Sequence, residues 1–272
     1  MTTTVARSPA AADHRAGPLT QLGRIMAAEW TKIRSVRSSV WCLLLTLVLC
    51  IGLPLLLAWA VVAQPDRPGE GFQAASFSMS GLFLGQLVVG SLGVLVVTAE
   101  YSTGTIRATL GAVPQRLRML LGKTLTFAVT MLVVMTVTCF AAFFPTQAIL
   151  GTKGLGVSLG DPFSVQMVVG GALYATVVGL LGVGLGFLLR HTAAAITTIF
   201  GLLFVLPILA SFLPRSWQTH VVKYLPAQAG TAVFSTQPTP DTLSAWTGLS
   251  IFLGYAVLCL VLGAWALARR DA

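Results

Sequence analysis

The sequence predicts an all-α polytopic membrane protein with six transmembrane helices. Of its 272 residues, 56% are hydrophobic and only 9% are charged, whereas soluble domains carry about 25% charged residues. Six long runs lack charged side chains, and each exceeds the roughly 20 residues that an α-helix needs to cross a bilayer. The predicted spans are residues 40–63, 76–99, 124–150, 163–189, 192–213 and 245–268.

Two segments precede the first span. Residues 1–18 are polar and basic without periodicity, which predicts a disordered cytoplasmic tail and no cleavable signal peptide. Residues 19–39 repeat apolar side chains at helical spacing, with Trp30 at the predicted headgroup level, which is typical of an amphipathic interfacial helix. Glu29 interrupts the apolar face of this helix. Two interpretations stay open. Glu29 either snorkels to the surface or pairs there with Lys32, or it reaches a polar partner in the helix bundle or on another subunit.

The basic residues predict the orientation, because cytoplasmic loops carry an excess of Lys and Arg. With the N-terminus inside, 13 of the 17 basic residues are cytoplasmic, so both termini, including the short tail 269–272, are predicted inside. The basic residues flank apolar runs and form no continuous basic face, which favours anionic lipid over nucleic acid as a partner. The cytoplasmic set is Arg7, Arg15, Arg24, Lys32, Arg34, Arg37, Arg107, Arg116, Arg118, Lys123, Arg190, Arg269 and Arg270, and the external set is Arg67, Lys153, Arg215 and Lys223.

The loop between spans two and three, residues 100–123, is dense in charges and helix-ending residues. Gly104 suits a left-handed C-cap for span two, and Thr105 suits the N-cap of a short helix that Gly111 ends. Pro114 is expected to begin the helix of span three. This spacing predicts a short cytoplasmic helix held at the membrane surface, where a soluble partner can reach it.

The other connections are less informative. The single charged residue Arg190 predicts a very tight turn between spans four and five, and residues 214–244 predict one or two short outer-surface helices between spans five and six. Pro54 and Pro207 are expected to kink spans one and five. Two small-residue pairs allow close helix approach. They are Gly81 with Gly85, and Gly182 with Gly186.

Reactive chemistry is sparse in the spans. Gln86, Gln147 and Gln166 are their notable polar groups, and no metal or catalytic motif is recognisable. Gly122-Lys123-Thr124 looks like the end of a P-loop, but the position of its first glycine is Leu117 and no strand precedes it. The chain is therefore predicted to be no enzyme and to hold no cofactor.

Two segments resemble a known family. They are AEWTKIRSVRSSVW at residues 28–41 and TAEYSTGTIRATLGAVPQRLRMLLGK at residues 98–123, with a weaker match in YLPAQAG at residues 224–230. All three are similar to permease subunits of bacterial ABC-2 type transporters, particularly the six-span actinobacterial kind. The resemblance implies that residues 19–39 are an elbow helix, and that the loop helix is a coupling helix docking on an ATP-binding subunit.

The resemblance also implies an assembly and a set of functional residues. Two permease subunits, identical or paralogous, would join two ATPase subunits that bind ATP and Mg, and export a substrate across the bacterial cell membrane. The composition of the spans, apolar with few polar groups, suits a hydrophobic or amphipathic substrate. Two interpretations of Glu100 stay open: a pair with Arg107 or Lys32, or a solvated charge at the end of the helix. If it is paired, its charge reversal is expected to uncouple ATP hydrolysis from transport without loss of folding. The implied coupling residues are Glu100, Thr103, Gly104, Thr105, Ile106 and Arg107, and the implied elbow residues are Glu29, Trp30, Lys32 and Arg34.

Two other functions stay open. A membrane scaffold or immunity-type interaction protein could use the same loop without ATP-driven movement. A secondary carrier is disfavoured, because the predicted spans hold no ionisable group for a coupling ion, although backbone carbonyls could serve. A neighbouring gene for an ATP-binding-cassette protein would favour the permease over both.

Overall fold

A computed structural model describes residues 18–65, 72–106, 116–161, 163–234 and 243–269. These residues form helices and turns without any strand, and six helices are long and apolar enough to cross a membrane, which confirms the predicted fold class. The predicted N-terminal tail lies outside the described residues, apart from Pro18. The spans, numbered one to six, are Arg37–Ala63, Leu82–Ser102, Arg116–Gly151, Ser164–Leu189, Thr192–Ser211 and Ala245–Arg269.

Shorter helices flank the spans. The elbow helix, Pro18–Ser35, precedes span one, and Ala74–Phe77 precedes span two. Between spans five and six lie Arg215–His220 and Pro226–Thr231, with 3-10 turns at Val222–Tyr224 and Ala232–Phe234.

The bundle has two distinct ends. At one, here named the basic end, spans two, four and six end and spans one, three and five begin. Arg116 and Arg190 there donate to the carbonyls of Leu267 and Ala266 at 2.8 and 3.0 Å. These bonds satisfy carbonyls that the end of span six leaves without intrahelical partners. The other end, named the opposite end, holds the short helices before span two and between spans five and six.

Span four is the most buried of the six and packs closely against span two. A Cβ added at Gly182 would overlap the carbonyl oxygen of Gly90, and one at Gly93 would overlap that of Gly179. Only glycine allows the two backbones to approach so closely, as the sequence predicted for Gly182. Arg190 ends span four in a left-handed conformation, with φ of 56°, and span five begins two residues later, so the predicted tight turn is confirmed.

Spans one and five each contain a π-helical turn before a proline. The turn at Val48–Gly52 precedes Pro54, and the turn at Gly201–Val205 precedes Pro207. A proline cannot donate the next hydrogen bond of a helix, and local π turns are one way in which helices accommodate it. The kinks predicted at both prolines stay predictions, and the π turns are the irregularity that the two helices show there.

Three observed boundaries differ from the predicted ones by four residues or more. The elbow helix ends at Ser35 instead of residue 39, because Val36 takes an extended conformation with φ of −78° and ψ of 119°. Span two begins at Leu82 instead of residue 76, since a short helix and a turn come first. Span three includes the basic segment from Arg116, because that segment packs against the elbow helix and span six.

Short helices between spans five and six are present as predicted, but one of them is not at the surface. The helix Pro226–Thr231 is largely buried, and it packs against span six and the π turn of span five. A Cβ at Gly230 would lie 2.6 Å from the ring of Tyr174 and 2.8 Å from that of Phe252. The small residues of this helix therefore let it enter the bundle. Trp217, in the preceding helix, is exposed.

Candidate functional site

Four charged side chains meet at the basic end. Lys123 of span three donates from Nζ to Glu29 Oε2 at 2.5 Å and to Glu100 Oε1 at 2.8 Å. Lys32 donates from Nζ to Glu29 Oε1 at 2.7 Å and to the same Glu100 Oε1 at 2.8 Å. Each lysine thus bridges the two carboxylates. We name these four residues the charge cluster.

The charge cluster is largely closed to solvent. The side chains of Lys123 and Glu29 are 1% and 3% exposed, that of Glu100 is 10% exposed, and only Lys32, at 42%, reaches solvent. Two positive and two negative groups balance in formal charge, which buried ions require to be tolerated. Removing one partner from such a pair costs about 3–5 kcal/mol, since it leaves a buried charge without its counter-charge.

The elbow helix supplies Glu29 from its buried face. Ile25, Glu29 and Ile33 follow one another at four-residue spacing, and all three are buried. Gly122 of span three permits the contact, since a Cβ there would come within 2.5 Å of the Ile25 side chain. The structure therefore resolves the two open interpretations of Glu29 together, because it pairs with Lys32 and also reaches a partner in the bundle.

Span three supplies Lys123 from its buried face, where its neighbours carry no charge. Met119 and Phe127, four residues before and after it, are both at most 1% exposed. Lys123 also donates to the carbonyl of Val96 in span two at 3.3 Å, so its ammonium group has three acceptors. From the sequence, Lys123 was interpreted as a topogenic charge and as part of a chance P-loop-like ending. Its position between Met119 and Phe127 at helical spacing was the signal that it faces the core.

Lys32 closes the charge cluster toward solvent. Burial by itself would lower the pKa of Lys32, but its hydrogen bonds to Glu100 and Glu29 and the charges of both carboxylates outweigh burial and raise that pKa. Lys32 therefore stays protonated at neutral pH. Its contact with Glu100 is one of the two pairings that the sequence suggested, while the other candidate, Arg107, lies outside the described residues. Oxygen Oε2 of Glu100 is buried without a hydrogen-bond partner among the described residues.

The loop after span two begins partly as predicted, since Gly104 has the expected conformation but Thr105 lies inside the new helix instead of capping it. Gly104 takes the left-handed conformation, with φ of 71°, and residues 105 and 106 are helical again. Thr103, Gly104 and Thr105 are exposed, and the hydroxyl groups of Thr103 and Thr105 lie 2.9 Å apart. Residues 107–115, which include most of the predicted coupling helix and Pro114, lie outside the described residues.

Ile106 differs from the other predicted coupling residues. It is 4% exposed and belongs to the main hydrophobic core. A side chain buried in its own bundle cannot also be a docking surface, so among the described residues the proposed contact with a partner rests on Thr103, Gly104 and Thr105. Arg107 stays a prediction outside the described residues. Trp30 and Arg34, the remaining predicted elbow residues, are exposed and lie outside the charge cluster.

Charge reversal at Glu100 is a poorer test than the sequence suggested. A lysine there would place three ammonium groups around Glu29 in a mostly buried space, and like charges so confined destabilise the fold. Glu100→Gln keeps the size and an acceptor oxygen, and removes only the charge.

The three glutamines of the spans are bonded within the chain. Gln147 donates from Nε2 to the carbonyl of Ala74 at 2.7 Å and to Ser78 at 2.8 Å, and accepts from the backbone of Val157 at 2.9 Å. Gln166 donates to the carbonyl of Val233 at 3.2 Å, and Gln86 accepts from the buried hydroxyl of Tyr174. These side chains hold segments together instead of lining an open path.

An apolar groove of about 400 Å³ lies between spans three, four and six. Val129, Leu132, Leu173 and Trp246 contribute to its lining. Its only hydroxyl-bearing residues, Thr176 and Ser250, donate to backbone carbonyls of their own helices.

Comparison with known families gives one finding. The model of a family described as ABC-2 family transporter protein matches residues 25–213, which is more than half of the chain and includes the charge cluster, the loop and spans one to five. No curated protein matches the chain.

Proposed function

Because this chain belongs to the ABC-2 family of transporter proteins, and is thus the membrane permease component of an ABC transporter, we propose that its basic end docks a separate ATP-binding subunit. In this proposal, ATP hydrolysed by that subunit drives export of a hydrophobic or amphipathic substrate. One observation carries the proposal. The exposed turn from Thr103 to Thr105 lies about one helical turn after Glu100, which belongs to the buried charge cluster.

The exposed turn has the properties of a docking element. It follows span two directly through the hydrogen bond from the Thr103 amide to the carbonyl of Ala99, at 3.1 Å. Behind it, Ile106 is buried in the core and Glu100 is held by two lysines. A displacement of the turn would therefore move spans two and three directly, since hydrogen bonds and ion pairs connect the turn to both.

The proposed orientation places the basic end and both chain termini in the cytoplasm of a bacterial cell. The excess of Lys and Arg at this end supports it. A second permease subunit, identical or paralogous, is proposed to complete the membrane part, and the partner ATPase is proposed to hold ATP and Mg.

The proposed cargo class rests on the lining of the bundle. The groove between spans three, four and six is apolar, and the glutamine amides of the spans are used within the chain. Such surfaces offer little to a strongly polar solute. ATP-dependent uptake of hydrophobic dyes into inside-out vesicles would test class and direction together, and ATP-dependent loss of dye from those vesicles would contradict export.

Site-directed crosslinking tests the docking proposal. A photoactivatable amino acid at Thr105 should capture an ATP-binding-cassette ATPase in native membranes, identified by mass spectrometry. The matched control is the same amino acid at Phe212, which is 81% exposed at the opposite end and should capture no ATPase. Correctly inserted protein that yields no ATPase from Thr105 would contradict the proposal and favour a scaffold.

A further inference from the structure

Lys123 is the most completely buried charged residue among those described. Its side chain is 1% exposed, and its ammonium group binds acceptors on two other elements, Glu29 of the elbow helix and Glu100 with the Val96 carbonyl in span two. A lysine with this burial is stable only while its carboxylate partners remain in place. Lys123 therefore couples the positions of three chain segments that are distant in sequence.

Two further contacts hold the elbow helix to the same part of span three. Ile25 packs against Gly122, and Arg118 donates to the Gln21 side chain at 2.9 Å. Together with the Lys123–Glu29 pair, these contacts extend over more than two turns of the elbow helix. These contacts hold the elbow helix against the first turns of span three.

The connection from the elbow helix to span one is different. The helix is broken at Val36, whose extended backbone separates Ser35 from Arg37. Span one is also the least buried of the six spans. A single non-helical residue before a helix that buries few of its side chains is a place where the angle between two helices can change through few dihedral angles.

From these contacts we propose that Lys123 is a positioning residue that makes the elbow helix move together with the start of span three, while Val36 serves as the joint to span one. This inference rests on the proposed function, because the movement originates at the docked ATPase. Displacement of the loop is passed through Lys123 to the elbow helix, and the elbow helix changes its angle to span one.

Distances between spin labels test the inference in the full complex with its ATPase. Ala27 is exposed on the elbow helix, Val137 is exposed on span three, and Leu56 is exposed on span one. Val137 lies fifteen residues beyond Gly122, or about 22 Å along the helix, which is a measurable spacing. Labels are attached to cysteines introduced after Cys42, Cys50, Cys139 and Cys259 are replaced.

The expected result is a contrast between two label pairs when ATP and vanadate trap the complex. The distance from residue 27 to residue 137 should stay constant, and the distance from residue 27 to residue 56 should shift. In Lys123→Met, the first distance should broaden or shift as well. Lys153→Met, the same substitution at the opposite end, should behave as the parent protein does.

The double variant Lys123→Met with Glu29→Met separates positioning from mere stability. It removes one positive and one negative charge together, so folding should be retained. Positioning by the charge pair predicts that the distance from residue 27 to residue 137 becomes nucleotide-dependent in this stable variant, with less transport per ATP hydrolysed. A constant distance in the double variant would overturn the inference.

The outcomes also separate the two proposals. If no ATPase assembles with the permease, the proposed function fails and the inference falls with it. If the ATPase assembles and the distance from residue 27 to residue 137 changes in the parent protein, only the inference fails.

Discussion

Removing Lys123 alone should cost more stability than removing Lys123 and Glu29 together. Lys123→Met leaves Glu29 and Glu100 in a mostly buried space with Lys32 as their remaining counter-charge. Breaking a buried ion pair costs about 3–5 kcal/mol. We expect a loss of about 3 kcal/mol, the lower end of that range, because Lys32 still neutralises one carboxylate.

The double variant should recover most of this loss. Lys123→Met with Glu29→Met leaves one lysine and one glutamate in the cluster. These are Lys32 and Glu100, whose Nζ and Oε1 atoms already lie 2.8 Å apart. Apolar replacement of a whole buried pair is often neutral or stabilising, so the double variant should unfold within about 1 kcal/mol of the parent. The two substitutions should therefore show a coupling energy of about 2 kcal/mol or more.

Reversible unfolding in mixed micelles, with the denaturing detergent fraction raised stepwise, measures these free energies. The signal can be the fluorescence of the six tryptophans, with helical circular dichroism as a second probe. Lys153→Met is the matched control and should change stability by about 0.5 kcal/mol or less. If the two substitutions change the free energy of unfolding additively, the charge cluster does not act as a unit. A Lys123→Met variant as stable as the parent protein would refute the same idea.

Three further predictions concern other parts of the molecule. Gly182→Ala should destabilise the bundle by about 1–3 kcal/mol, since the new methyl group would overlap the Gly90 carbonyl oxygen. Its control, Gly254→Ala, has open space around the new methyl group and should not destabilise the bundle, so equal unfolding curves for the two variants would contradict the packing. Gln147→Leu should cost about 1–3 kcal/mol for each buried group that it leaves unpaired, and Gln228→Leu at an exposed position is its control. Glu100→Gln leaves two lysines with one carboxylate, so it should lower the free energy of unfolding, though by less than Lys123→Met because Lys32 reaches solvent. The folded variant should keep ATPase binding but transport less per ATP hydrolysed, and unchanged coupling in a vesicle assay would argue against a role for this charge.

The six spans could be predicted because bilayer thickness imposes a length and a composition that a single sequence displays. The left-handed turn at Gly104 and the tight turn at Arg190 were equally visible, since each depends on local backbone chemistry. These features need no knowledge of which helices touch. The elbow helix was visible as a helix, but its end at Ser35 was not, because Val36 carries no cap or breaker signal.

The charge cluster could be predicted only in part. Glu29 was conspicuous because it interrupts an apolar face, and its pairing with Lys32 follows from three-residue spacing. Lys123 was missed because a lysine beside a membrane span is usually explained by topology. Its partner Glu29 is 94 residues away, and no local pattern reports such a contact. The burial of Ile106 was missed for the same reason, since a short amphipathic segment can face either a partner or its own bundle.

The two ends of the bundle use different chemistry for the same task of holding segments together. At the opposite end, neutral amides of Gln147 and Gln166 bind backbone carbonyls. At the basic end, the four side chains of the charge cluster hold segments together by binding one another. Apolar contacts in their place would often be at least as stable. Paired buried charges resist displacement more strongly than apolar contacts do, because moving one partner away leaves an unpaired buried ion and raises the free energy of the folded state steeply. The charge cluster thus defines one position of the elbow helix against spans two and three, at the end where the proposed ATPase would act.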